Sequence, residues 1–208
     1  MNSNLTTIES MAFYESSISS IMLPSSLTSI EDNGFLQCKK LANVDFYDPQ
    51  STRIKSFGAN AFAKTHLKKI TIPSHLKKIC YAALGFNGLR YVVFPEDSEL
   101  EMIGVDAFAS TQIRSICIPH KIVHINEGSF RNCVNLLAVE LTTKAKVIYV
   151  HPKSFKCSQN VSIFIQAGTK LIQHKLKKAF LKNYNFVILI SFIHLDHRYY
   201  ALFLSLLN

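Results

Sequence analysis

Cys117, His120 and His124 are three and four residues apart. That spacing loosely resembles a zinc site, where thiolate and imidazole complete a tetrahedral set. Pro119 interrupts it, and alternation along Ile116-Cys117-Ile118 turns Cys117 away from the face that both isoleucines share. Solvated side chains are expected there, not a metal. His194-x-x-His197, with Asp196 between, has no third imidazole or thiol nearby. Five cysteines (Cys38, Cys80, Cys117, Cys133 and Cys157) form an odd set, which argues against a complete disulfide framework. Cys38, Cys133 and Cys157 each follow a recurring Phe closely, a shared neighbourhood that predicts small buried packing thiols. The seven glycines are scattered, with no phosphate-cradling loop. Neither a nucleophile elbow nor a metalloprotease helix is present. The carboxylates fall in loops and solvent slots, so no acid–base pair is expected. The reading at this level is a protein with no catalytic residues, no cofactor and no metal.

What remains is binding chemistry. Net charge is +9, and from Gln166 to the end six Lys/Arg stand against one acid, giving +5. His66-Leu67-Lys68-Lys69, His75-Leu76-Lys77-Lys78 and Lys175-Leu176-Lys177-Lys178 are basic pieces of the kind that attract nucleic acid or lipid headgroups. Aromatics interleave poorly with them, which speaks against single-strand binding. Asn4-Leu5-Thr6 and Asn160-Val161-Ser162 match the glycan acceptor pattern, although Asn160 falls at an inward position of the repeat described next.

The elements that carry these side chains repeat. A small residue followed by an apolar one recurs at Ala12-Phe13, Gly34-Phe35, Ala61-Phe62, Ala83-Leu84, Ala107-Phe108, Ser129-Phe130 and Ser154-Phe155. Ahead of each lie two apolar residues three apart, beginning at residues 5, 27, 54, 76, 100, 122 and 147. Behind each comes a second run, such as Ile113-x-x-Ile116-x-Ile118-Pro119. A multi-position template at a spacing of 22 to 27 residues marks stacked coils, none of which buries its apolar face alone. The second run alternates, as a strand does, and Pro after it cannot donate a ladder hydrogen bond. One short parallel strand per repeat is therefore expected, over 20–23, 43–46, 69–72, 91–94, 115–118 and 138–141. The repeated Phe should stack into an aromatic spine. Asp48–Thr52 and Glu96–Glu99 are polar insertions and read as bulging loops.

The pattern L-x-x-I-x-x-x-A-F-x-x-x-x-I-x-x-I-x-I-P resembles the BspA-like leucine-rich-repeat family, over roughly Leu5 to Ile165. The resemblance implies a leucine-rich-repeat solenoid, a horseshoe with turns or short helical segments on its convex side. Members are typically surface-exposed or secreted proteins implicated in adhesion and in binding host or matrix proteins. It implies no catalytic residues. Met1 to Asn4 lead straight into the repeat without a basic stretch and an apolar run, so no signal peptide is read there.

Residues 1–166 are assigned to about seven repeats and 167–208 to a basic, then hydrophobic tail. Within the tail, Thr169 to Asn185 has the spacing of a C-terminal capping helix. Phe186–Ile193 and Tyr199–Leu207 are apolar, but the charged residues between them oppose a membrane span. The strand face is concave and extended, the natural docking surface of a solenoid. Its outward slots put Lys69, Thr71, Tyr91, Val93, Ser115 and Cys117 side by side on adjacent coils. These are the candidate protein-binding residues. The alternatives are association of the basic tail with nucleic acid or anionic membrane, and a partial repeat array with no function of its own.

Overall fold

The structure is a computed structural model describing residues 4–142, 147–158, 161–166, 170–173 and 186–191. Every regular element among them is a strand. Two kinds alternate along the chain. The first kind comprises β1 (Thr7–Ile8), β3 (Ser29–Ile30), β5 (Ser56–Phe57), β7 (Lys78–Ile79), β9 (Met102–Ile103), β11 (His124–Ile125), β13 (Val147–Val150) and β15 (Lys170–Gln173). The second comprises β2 (Ser20–Leu23), β4 (Asn43–Phe46), β6 (Lys69–Thr71), β8 (Tyr91–Val93), β10 (Ser115–Ile118), β12 (Ala138–Leu141), β14 (Val161–Gln166) and β16 (Phe186–Ser191).

The odd-numbered strands form one eight-stranded sheet in chain order. The even-numbered strands lie in three groups, β2-β4, β6-β8 and β10-β12-β14-β16. Every pairing is parallel. The chain is thus a parallel β-solenoid of about seven turns. The second apolar run of each repeat forms a strand as expected. Each coil, however, carries two strands where one was expected. The first run places its apolar residues three apart, which is not strand alternation. In the first six coils only the second of them, such as Ile30 or Ile79, lies in a strand, beside one outward residue. The resulting ladder is two residues wide in most coils.

The even-strand sheet parts between β4 and β6 and between β8 and β10. Both partings coincide with the polar insertions. In the first, Asp48 accepts hydrogen bonds from the amides of Gln50 and Ser51 and folds the extra residues into a local turn. The insertions are nonetheless tied to the stack, through Ser74 N to Pro49 O (3.2 Å) and Glu99 N to Ser74 O (2.7 Å).

The core runs the length of the stack. Phe13, Phe35 and Phe62 stack face to face with centroids 4.9 and 5.2 Å apart. Phe108, Phe130 and Phe155 do the same at 5.4 and 5.5 Å. Leu84 takes the ring position between the two stacks. All but the two end rings are fully buried.

The loop holding each Phe is not helical. Counting from the Phe, or from Leu84 in its place, the residues two before and two after have positive φ in nearly every coil. The pairs are Met11 and Glu15, Asn33 and Gln37, Asn60 and Lys64, Ala82 and Phe86, Asp106 and Ser110, and Gly128 and Asn132. Alternating the hand of the backbone points every second amide along the stack. Asp106, Phe108 and Ser110 donate to the carbonyls of Glu127, Ser129 and Arg131 in the next coil, at 3.1, 2.9 and 2.7 Å. The intervening amides close turns within their own coil, as Ala107 N to Gly104 O and Ala109 N to Asp106 O. The loop therefore satisfies its polar backbone as a third ladder would.

The helix expected over Thr169 to Asn185 is corrected at its start. Lys170–Gln173 is β15, paired in register with Val147–Val150. Residues 174–185 lie outside the described residues, as does the apolar run 199–207. β16 covers most of the other apolar run and pairs with β14, Val161 opposite Phe186.

Candidate interaction face

Strand alternation sends Ile70 and Ile116 into the core and turns their neighbours outward, whereas on β12 both Ala138 and Val139 are buried and Glu140 is half-buried. On β6 and β8, Lys69 lies opposite Tyr91 and Thr71 opposite Val93. Tyr91 and Val93 are 64% and 42% exposed, large values for apolar-bodied side chains. Ser115 and Cys117 belong to the next strand group, opposite Ala138 and Glu140 of β12. The six candidate residues thus fall on one face but on two ladders, divided by the parting between β8 and β10.

Glu140 was not among the expected residues. Burial pushes its carboxyl above the usual range. It faces Cys117, whose thiol is pushed up to about 11, by burial first and then by Glu140. At neutral pH that leaves very little thiolate, so Cys117 is a poor nucleophile. The signal for Glu140 was its place opposite Cys117 in the repeat register, but a sequence does not report how far a slot is shielded.

The buried cysteines follow a rule of their own. From the second coil on, three residues after each Phe stand Cys38, Thr65, Thr111, Cys133 and Ser158, with Asn87 after Leu84. Each donates to the carbonyl of a ring-position residue. Thr65, Thr111 and Asn87 bond within their own coil, to Phe62, Phe108 and Leu84. Cys38, Cys133 and Ser158 reach back one coil, to Phe13, Phe108 and Phe130 at 2.8, 3.1 and 2.8 Å. Burial raises the Cys38 and Cys133 thiols above their usual value. Cys157 corrects the expectation. It is exposed, with φ of 64°, because it occupies the left-handed position while Ser158 takes the buried one.

Cys117 and His124 lie on different sheets, and His124 stacks on Tyr149 at 4.9 Å. No group of three or more His, Cys, Asp or Glu among the described residues is placed to hold a metal ion. His194 and His197 lie outside them. No helix among the described residues is long and apolar enough to cross a membrane.

Ion pairs cross from coil to coil away from the candidate face. Arg131 grips Asp106 with two nitrogens, at 3.0 and 2.7 Å. His75 pairs with Glu99 at 3.1 Å, Lys77 with Glu101 at 3.6 Å and Lys153 with Glu127 at 3.0 Å. Glu99 and Glu127 are held below the usual carboxylate range by their bonds from His75 and Lys153.

Stacked coils, a ring column and a broad open strand face define a repeat solenoid of the leucine-rich class. Residues 1–88 and 86–195 match the BspA type leucine rich repeat region, in six copies. The chain belongs to that family. Among solved structures, it is similar to the pneumococcal vaccine antigen PcpA, with 19% identity and a TM-score of 0.60, over 89% of this chain and 56% of that one. A leucine rich cell surface protein of Faecalibacterium prausnitzii is 15% identical with a TM-score of 0.49, over 81% of this chain and 61% of that one. A leucine-rich repeat protein of Bacteroides ovatus is 21% identical with a TM-score of 0.45, over 81% and 55%. The chain therefore spans little more than half the length of these proteins. No curated protein matches it.

Proposed function

We propose that the chain is a non-enzymatic protein-recognition module whose even-strand face docks a protein partner, in the manner of an adhesin or surface antigen. The observation that supports this most is the patch at β6 and β8, where Tyr91 and Val93 stand open beside Lys69 and Thr71. Interface centres favour an amphipathic aromatic ring next to a cation. Ser115 and Cys117 extend the patch on the next coil. The likeness to a vaccine antigen supports display where other proteins reach it.

The test is binding to a purified partner, measured for Tyr91→Ala, Lys69→Glu and, as a control on the opposite loop side, Tyr81→Ala. Tyr91→Ala should weaken binding by about 2 kcal/mol, the threshold of a hot spot. Tyr81→Ala should leave it unchanged, although Tyr81 is 51% exposed. A partner indifferent to every even-strand-face substitution would overturn the reading.

A further inference from the structure

Between the Phe of each coil and its even-numbered strand, one flank of the solenoid is almost purely cationic. In the stretches 14–21, 36–43, 63–70, 85–92, 109–116 and 131–138, eight Lys or Arg stand against one acid, Glu15. Three of the cations share one repeat position. Lys68, Arg90 and Arg114 are the residues just before β6, β8 and β10, and all three are exposed. The backbone fixes their order. Arg90 N and Tyr91 N donate to Lys68 O, and Gln112 N donates to Leu89 O in the neighbouring coil. Lys68 and Arg90 stand one paired strand step of about 4.8 Å apart, and Arg114 follows in the next coil across the parting of β8 and β10.

None of the three makes an ion pair with another described residue, whereas His75, Lys77, Arg131 and Lys153 each do. Like charges in a column repel, and an anion placed beside them relieves that repulsion. Lys69 and the open ring of Tyr91 lie at the column's edge.

We propose that this column is the anion-recognising edge of the docking face, and that its occupant is an acidic, extended segment of a protein partner. The inference rests on the reading of the even-strand face as a docking surface. Carboxylates match the planar fork of Arg90 and Arg114, and a cation column selects against basic partners. The column has two coil steps, about 10 Å, which an extended peptide spans in about three residues. Val93 beside the Tyr91 ring supplies an aliphatic contact suited to a peptide side chain, whereas a base or a sugar would use the ring alone.

The experiment uses the full chain and a fluorescein-labelled ten-residue peptide rich in Asp and Glu with a central Leu, followed by anisotropy at low and high salt. Heparin and a single-stranded oligonucleotide serve as competing polyanions. Two triple variants carry the same charge change. Lys68→Glu/Arg90→Glu/Arg114→Glu alters the column, and Lys55→Glu/Lys78→Glu/Lys121→Glu alters exposed residues of the opposite flank. Each takes the formal net charge from +9 to +3, since three reversals remove six charges. The column variant should lose at least about tenfold in peptide affinity and the opposite-flank variant less than about threefold, with the wild-type complex weakening as salt rises. Arg90→Gln alone, a milder change at an exposed site, should weaken the peptide measurably if the triple variant fails to fold. No peptide binding at low salt, equal losses in both triple variants, or preference for heparin or the oligonucleotide would each overturn the proposal. If a protein partner is lost with Tyr91→Ala yet ignores the column reversal, the docking face stands and the acidic occupant falls.

Discussion

Gly128 shows how one residue serves two constraints. Its φ is +64°, and a methyl group built on it would lie 2.0 Å from Asp106 Oδ1, inside the Arg131 pair. Gly128→Ala should therefore destabilise by about 1–3 kcal/mol in urea unfolding, through strain and a displaced carboxylate together. The same backbone rule acts in the opposite direction at Lys64, an exposed side chain with φ of 57°. Lys64→Gly should raise stability by about 0.5–1 kcal/mol, since left-handed backbone costs an ordinary side chain more than glycine. Asn60→Gly should gain nothing, because Asn already tolerates that conformation and its Nδ2 donates to Asn33 Oδ1 at 3.2 Å. Glu140 gives a pH signature. Its folded-state pKa is raised by burial, so the folded state holds the proton more tightly than the unfolded one. Its contribution is fully present below the unfolded value of about 4.3 and is lost as pH rises through the folded one. Glu140→Gln should accordingly be more stable than the parent at pH 7, with the gap closing towards pH 4. Equal gaps at both pH values would show that Glu140 is solvated. None of these features was legible as chemistry in the sequence. The left-handed positions hold Met, Asn, Lys, Ala, Asp and Ser alike, so no residue type announces them. Cys157 was distinguishable by spacing alone, standing two residues after Phe155 where Cys38 and Cys133 stand three after theirs.

The elements themselves were mostly readable, because the second apolar run alternates and the Phe recurs. The odd-numbered strands were not, being only two residues long in most coils. The terminal strands carry the repeat's own signal. Ala179-Phe180 stands six residues before β16, the offset that separates Phe155 from β14. Its lysine-rich surroundings read as an amphipathic helix instead. The insertions were identified as loops, but their effect on the even-strand sheet was not, since parting a ladder depends on where neighbouring strands come to rest. That effect is measurable by amide hydrogen exchange. β12 pairs on both sides, with β10 and β14, whereas β4 and β6 each pair on one. Amides of Val139 and Leu141 should be protected more strongly than those of Val44 and Phe46. Equal protection would mean that the sheet closes across the insertion in solution.

At the scale of the whole molecule, each coil touches its neighbours and little else, so stability is a sum of local terms along a line. Phe108 is fully buried, stacked on Phe130 and adjacent to Leu84. Phe108→Ala should cost about 3–5 kcal/mol, in the usual range for a buried ring. Because the lesion lies mid-stack, beside the parting of β8 and β10, unfolding followed by probes on either side should separate into two transitions. A single coincident transition would show that coupling along the stack outweighs the loss. The directed amides of the Phe loop carry a mechanical consequence. They and both strand ladders point along the stacking axis, so a pull applied at the two ends loads the bonds of a terminal coil first and spares the rest. Extension would then proceed by peeling, each coil of 22 to 27 residues releasing about 70–90 Å of chain before the next is strained. A tether built this way yields in even steps at modest force, where a fold loaded in shear holds and then ruptures at once.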